Sequence, residues 1–254
     1  MAKKRGVNRR TIERGLAKLK LTSYIQGKRH LLTGRLKGIR LHRCKRLISW
    51  MKDNGGVMKF FSDEKNFTVD CAFNRRNDRW IASSSSEVQR KMTTKQPAKV
   101  MTLCVVSTEG DALTHFFEPR KKVNAATYCE VLTTKVIPWM KDRSNGKSFV
   151  FQQDSATAHT AKKTVELLQR SKIKFWPKDV WPSNSPDLNP LDYYFWGRIV
   201  GKACQKPHTS IIALKRNIKR AIDTVDKTEI IHAVSKFRSR VEAVIANEGS
   251  HIEG

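Results

Sequence analysis

Two apolar runs in this chain each stop at an aspartate. Val57–Ser62 leads into Asp63 within FFSDEKNF, and Ser148–Gln153 leads into Asp154 within FVFQQDSATAH. A short run of this kind reads as a buried strand. A buried strand that ends on a carboxylate delivers a charge to the rim of its sheet, where open α/β folds place their sites. A third aspartate, Asp192, lies in WPSNSPDLNPLDYYFW. There Asn189 can cap a helix behind Pro190, which puts Asp192 in the first turn. If the two strands are neighbours, all three carboxylates can be aimed at one point. Like charges held together repel and raise one another's pKa, so the arrangement makes sense when divalent cations lie between them. Singly, Asp63 reads as a turn residue, Asp154 as an N-cap and Asp192 as a first-turn acid favoured by the helix dipole. Together, in these contexts, they read as a catalytic and metal-binding set, with two Mg²⁺ or Mn²⁺ ions as cofactor.

The rest of the chain supplies a substrate class. Over 254 residues, 50 Lys and Arg outnumber 23 Asp and Glu, for a net charge of +27. Residues 1–50 hold 16 of those bases and a single acid, Glu13. A bias of that size at one end is the footprint of a polyanion partner. An acidic site on a basic protein points to phosphodiester chemistry on nucleic acid. The five cysteines, Cys44, Cys71, Cys104, Cys129 and Cys204, form no CxxC pair and read as reduced intracellular thiols. Cys204 and His208 have ligand-like spacing, but no second pair accompanies them. The longest apolar run, Val100–Val106, is too short to span a membrane, and no apolar segment follows the charged N-terminus. Nuclear localisation is expected of a DNA-acting chain with this profile.

Along the chain, Asn8 caps an expected helix over Arg9–Lys20, with Ile12, Leu16 and Leu19 as its apolar stripe. A basic linker, Ser23–His30, precedes a second helix opened by Thr33 and ended by Asn54-Gly55-Gly56. Strands are expected at Val57–Ser62, Phe67–Phe73, Lys99–Ser107, Ala112–Phe117, Ser148–Gln153 and Lys172–Trp176, in a mixed sheet of about five. Helices are expected at Asn124–Met140, Ala158–Arg170 and Leu191–Lys202, with two more over Ser210–Asn247. The order argues for an α/β fold with helices covering a mixed sheet. Ser83–Ser86 reads as a loop, and the tryptophans as core or interface residues.

The words FSDEKNF, QQDSATAHTA and NSPDLNPLD also carry a resemblance. They are similar to the three acid motifs of the mariner superfamily of transposases, and the similarity covers nearly all of the chain. Matched motif by motif, the triad falls on Asp63, Asp154 and Asp192, with Asp187 as the acid that could be mistaken for the third. The 37 residues between Asp154 and Asp192, and the tail KACQKPHTSIIALK, resemble one branch that has Asp in third place. The resemblance implies an RNase H-like core and metal-dependent cutting of both strands at the ends of a transposable element. It further implies joining of the freed 3′-hydroxyl to target DNA at TA, and work as a homodimer. Around Ser83 the family carries a dimer-clamping loop. Its members begin with two helix-turn-helix units that bind terminal inverted repeats, whereas GVNRRTIERGLAKLKLTSY resembles only the last helix of the second.

The domains expected on this basis are a remnant of the DNA-binding region and basic linker over 1–30 and a basic linker helix over 31–55. The catalytic domain would span 56–205, with C-terminal helices packed on it over 206–254. The chain is expected to be N-terminally truncated, with its catalytic residues kept and its sequence-specific end recognition impaired. Arg9, Arg10 and Arg14 are candidates for groove contacts. Lys3, Lys4, Arg5, Lys28 and Arg29 are candidates for phosphate or linker contacts to DNA. His159 reads chiefly as a packed residue at a helix start, with a place near the metals or DNA as the alternative, and Glu64 chiefly as a solvated acid after a strand, with assistance to the site as its alternative. A non-enzymatic DNA-binding protein derived from such an element is the alternative, and the complete acidic triad argues against it. Another RNase H-like nuclease is argued against by the loop words and the tail.

Overall fold

The computed structural model describes residues 8–21, 31–71, 83–88, 93–119 and 121–252, in two compact units that divide between Leu31 and Leu32. The first unit contains helix α1 (Arg9–Lys18), capped as expected by Asn8, whose side chain accepts from the Arg10 amide at 2.9 Å. Its apolar stripe finds little cover, and Leu19 is 68% exposed.

The second unit is built on a four-stranded sheet of β1 (Met58–Thr68), β2 (Lys99–Ser107), β3 (Ala112–Phe116) and β4 (Phe149–Gln152), in the order β3-β2-β1-β4. β1 pairs antiparallel with β2 and parallel with β4, and β2 pairs antiparallel with β3. Successive side chains on a strand face opposite ways, and this sorts the core. Phe61, Phe67, Val100, Cys104, Val106 and Val150 pack on one face, against α2 (Gly34–Asp53), α7 (Trp196–Ala203), α8 (Ile211–Asp223), α9 (Lys227–Ser235) and α10 (Phe237–Ala246). Phe60, Leu103, Val105 and Phe151 pack on the other, against α3 (Ala125–Val131), α4 (Ile137–Ser144) and α6 (Lys162–Arg170). This is the α/β arrangement expected, a mixed sheet with helices on both faces. No helix among the described residues is long and apolar enough to cross a membrane.

Several expected boundaries move. The polar word SDEKN does not end a strand: it stays in the β1–β2 ladder, with Asp63 opposite Cys104, so two expected strands merge into one. Residues 72–73 lie outside the described residues. Lys172–Trp176 forms no strand and adds only a bridge from Phe175 to Phe151, so the sheet has four strands. Ala161, extended at φ −61° and ψ 140°, splits the expected 158–170 helix into α5 (Thr157–Thr160) and α6. The tail folds into three helices, with Ser210 and Asp226 as N-caps and a further break at Lys236. The 124–140 helix contains a π-helical turn, Leu132–Val136, and runs on as α4.

One polar contact fastens the ends of this unit together. Arg40 on α2 is fully buried. Its Nε donates to Gly249 O at 2.9 Å, and its Nη1 donates to Asn184 O at 2.9 Å and to Ser185 Oγ. Both terminal nitrogens grip Asp187, Nη1 at 3.2 Å and Nη2 at 2.8 Å. Gly249, at φ +78°, lies so close to α2 that a Cβ there would collide with the Lys37 carbonyl. Removing one partner of a buried ion pair strands the other, at a cost of about 3–5 kcal/mol. Arg40→Leu is therefore expected to lower unfolding free energy in urea by that amount, and a loss below about 1 kcal/mol would contradict this account.

Candidate active site

The register of the sheet sets the site. Phe61 on β1 pairs with Gln152 on β4, in parallel. Two residues further along each chain, Asp63 comes level with Asp154. Asp63 is mid-strand rather than strand-final, and Asp154 lies just past the end of β4. The strands are neighbours, which was the condition for bringing the two carboxylates together.

Asp192 arrives from the other side. Asn189 accepts from the Leu191 amide at 3.1 Å through Oδ1, the expected cap, and its Nδ2 donates to Ser62 O at 3.1 Å. One side chain thus both starts the helical run and ties it to β1 beside Asp63. The first residues, Leu191–Phe195, form a π-helical turn before α7 begins. Such turns are rare and recur at functional sites. One turn on, Trp196 Nε1 donates to Asp63 Oδ2 at 2.6 Å.

The electrostatics record how close the acids are. Asp63 is pushed up to about 7, first by burial and then by the charge of Asp192, with Glu64 and Asp154 adding; the Trp196 bond opposes the shift. Asp192 reaches solvent from a recess, where loss of hydration is the main cause that lifts it to about 6; Lys65 opposes this and the charge of Asp154 adds to it. Asp154 behaves differently. Burial would raise it, but the hydrogen bond and charge of His159 and the Ala156 amide together hold it below the usual carboxylate range.

His159 does pack at a helix start, as expected, and it also joins two acids. Its Nδ1 lies 2.5 Å from Asp154 Oδ1, which also accepts from the Ala156 amide at 2.9 Å. Its Nε2 lies 3.2 Å from Glu64 Oε1, near enough for an ion pair although off the line of a hydrogen bond. Burial would lower the imidazole, yet the contacts to Asp154 and Glu64 outweigh it and raise it to about 10. Tyr128 lies against the ring at 4.2 Å between centroids and donates to Gln153 Oε1 at 3.0 Å; Gln153 Nε2 donates to His159 O at 3.0 Å. Glu64 is not the solvated acid expected. It remains inside β1, with its side chain 14% exposed. The alternation of the strand sends Asp63 to the face of Trp196 and Glu64 to the face of His159 and Tyr128. That alternation was the available signal for Glu64. Trp196 gave none, and Asn189 gave only its cap, because their contacts to Asp63 and Ser62 join distant parts of the chain.

Asp187, the acid that could be mistaken for the third, has both oxygens on Arg40. Cys204 and His208 form no metal pair, for the His208 ring meets Ala203 O at 2.8 Å and Asn217 Nδ2 at 3.2 Å. All five cysteines are free thiols. Of the candidate DNA-contacting residues, Arg10 and Arg14 are exposed on α1 and Arg9 is in the same helix, while Lys3, Lys4, Arg5, Lys28 and Arg29 lie outside the described residues.

The donor set suits a hard cation. Asp63, Asp154 and Asp192 offer oxygens only, and Mg²⁺ commonly binds through one or two carboxylates while keeping several waters. Among the described residues no three His, Cys, Asp or Glu close into a ready-made cage. Three mutually repelling carboxylates have no reason to close to ligand distance by themselves.

Comparison with known proteins gives these residues a context. No protein-family model matches the chain. It is 26% identical to the Tc3 transposase of Caenorhabditis elegans over 232 residues, which is 83% of this chain and 63% of that one. It is 27% identical to the Tc1 transposase of the same organism over 122 residues, 48% of this chain and 43% of that one. The chain therefore spans under two thirds of the length of these curated relatives. Among solved structures, a Mos1 mariner paired-end complex with Mg superposes with a TM-score of 0.83 at 20% identity, covering 99% of this chain and 74% of that one. The Mos1 catalytic domain superposes with a TM-score of 0.66 at 20% identity, covering 89% of this chain and all of that one. The chain is thus similar in sequence to the Tc3 and Tc1 transposases and shares the fold of the Mos1 mariner transposase.

Proposed function

We propose that this chain catalyses metal-dependent cleavage of DNA at the ends of a transposable element and joins the freed 3′-hydroxyl to target DNA at TA. The observation that carries the proposal is the parallel pairing of β1 and β4. It sets Asp63 level with Asp154, while Asp192 comes close enough to raise the pKa of Asp63. The kinship with Tc3 and Tc1 supports it, as do the solved Mos1 complexes described as paired-end, with Mn or Mg, and as strand transfer. On this reading the partners are element-end DNA, target DNA and a second copy of the chain, and the work is done in the nucleus. A purely DNA-binding role would leave the three gathered carboxylates without a purpose.

Asp63, Asp154 and Asp192 would hold two Mg²⁺ or Mn²⁺ ions. Such ions, when bound, activate a water or 3′-hydroxyl nucleophile and neutralise charge on the leaving oxygen. The chain's own residues prepare the ligands. Trp196 fixes one oxygen of Asp63, and His159 with the Ala156 amide fixes one oxygen of Asp154, leaving the second for a cation. Ligands held this way do not have to be ordered when substrate arrives. Burial pushes the Cys44 and Cys104 thiols up to about 12 and keeps them in the protonated, non-nucleophilic form.

Two outcomes are expected. With labelled element-end DNA and Mg²⁺ or Mn²⁺, Asp154→Asn and Asp192→Asn should each lose at least about a hundredfold of the cleavage rate, as expected for loss of a metal ligand. Asp187→Asn should lose stability but keep cleavage in its folded fraction. Equal cleavage by the wild type and Asp154→Asn would reject the enzyme. The second outcome concerns charge. The pKa of Asp63 is raised from 3.8 to about 7, so the stability present while it is protonated is lost as pH rises through about 7. Metal-free Asp63→Asn should therefore melt above the wild type near pH 8 and with it near pH 4, by scanning calorimetry. Divalent cation should raise the melting temperature of the wild type but not that of the variant.

A further inference from the structure

The outer face of α2 forms one wall of an open groove of about 480 Å³. Arg35, Gly38, Ile39, His42, Arg43 and Arg46 line it, with Asp179 on the far wall. These helix positions recur at the three- and four-residue spacing of a single face. The opposite face, with Arg40, Cys44, Leu47 and Met51, is buried in the core. The groove thus belongs to a firmly seated helix. Two of its arginines are already held at one nitrogen. Arg43 Nη1 donates to Trp181 O at 3.0 Å and Ser183 Oγ at 2.7 Å; Arg46 Nη1 lies 3.2 Å from Asp179 O and 3.1 Å from its Oδ2. A guanidinium has five N–H donors, so each keeps others for a ligand and meets it in a fixed orientation. Asp179 is the only acid lining the groove, against three arginines.

Gly38 leaves the middle of this face open, as Gly15, Gly34, Gly197 and Gly201 do elsewhere on the helices. Glycine inside a helix is destabilising relative to alanine, yet this one stands mid-helix, and a Cβ built on it would meet nothing within 4 Å. On this face, between Arg35 and Arg43, the absence of a side chain leaves room for a ligand's own backbone to approach. From Arg35 to Arg46 the helix rises roughly 16 Å, about five steps of a DNA strand at 3.4 Å each, so the face can follow a run of neighbouring phosphates.

We propose that this groove seats the phosphate backbone of duplex DNA. Arg35, Arg43 and Arg46 contact phosphates, and Gly38 leaves room for the sugar–phosphate chain to lie against α2. The proposal rests on the reading of the chain as a DNA-acting protein and adds a surface outside the carboxylate site and outside α1. Contacts of this kind give affinity and register without sequence choice.

The test uses the full chain and a duplex of arbitrary sequence without divalent metal, followed by fluorescence anisotropy across a salt series. Gly38→Glu is the sharpest variant, since it fills the groove with bulk and negative charge where the fold has open space. It should melt no lower than the wild type and bind about tenfold more weakly near 100 mM salt, a loss in keeping with the steep charge dependence of such binding. Arg35→Ala with Arg46→Ala should make the slope of log affinity against log salt shallower by about two, one for each phosphate contact. Lys141→Ala with Arg143→Ala, on α4 across the sheet, removes the same charge away from the groove and should stay within about twofold of the wild type. If Gly38→Glu binds like the wild type, or the α4 variant loses as much as the groove variants, the groove is not the seat. If the wild type itself does not bind duplex DNA, the functional reading falls as well.

Discussion

Three carboxylates near one point repel, and much of the structure around them offsets that cost. Burial is the first cause that lifts Asp63 to about 7 and Asp192 to about 6, and the repulsion adds to it, from Asp192 on Asp63 and from Asp154 on Asp192. Each acid has its own restraint. The Trp196 indole holds Asp63, His159 and the Ala156 amide hold Asp154, and Asn189 fixes the start of the π-helical turn that carries Asp192. All of these come from helix starts or the turns that lead into them, set against two adjacent strands. A fold under no such constraint would have little reason to bury a tryptophan N–H on a carboxylate or to sandwich an imidazole between two acids. Stability is given up locally so that the ligands stand ready, a familiar exchange at functional sites.

The acids were legible in the sequence, and so was the sheet that gathers them, because both depend on local pattern. An apolar run followed by Asp marks β4, and Asn-Pro ahead of Asp192 marks a helix start. What local pattern could not supply was pairing. The SDEKN word reads as a break by polarity, yet the ladder to β2 carries it through as strand. Lys172–Trp176 has strand composition, but only Phe175 reaches β4. Propensity is overridden by neighbours in both cases. His159 shows the same limit for the site. Its spacing from Asp154 put it at a helix start, and only the face of β1 on which Glu64 lies gives its ring a second carboxylate.

Asp187 and Asp192 separate by environment rather than by sequence. Five residues apart in one motif, they differ in whether a cation is already present. Arg40 engages both oxygens of Asp187 and couples the loop to Gly249 near the C-terminus. Asp192 has the neighbouring acids instead. A carboxylate with a built-in guanidinium partner is a structural element, whereas one facing other carboxylates suits the ligand role proposed for it.

The segment from Asp179 to Asn189 contains no regular element, yet it delivers Asp192 to the site. Its course is fixed chiefly by arginines of α2. Arg46 holds it at Asp179, Arg43 at Trp181 and Ser183, and Arg40 at Asn184, Ser185 and Asp187, before Asn189 fastens it to β1. The Arg40 contact is forked, reaching carbonyl, hydroxyl and carboxylate groups together, geometry that a lysine ammonium cannot reproduce. The basic character of α2 thus has two causes that charge counting cannot separate. Its inward arginine is buried wiring that fixes the segment leading to Asp192, and its outward ones line an open groove, two of them, Arg43 and Arg46, gripping that same segment by a single nitrogen each. The helix that reads as a linker by composition is, by its contacts, the part of the core that connects the third carboxylate to an open groove lined by Arg35, Arg43 and Arg46.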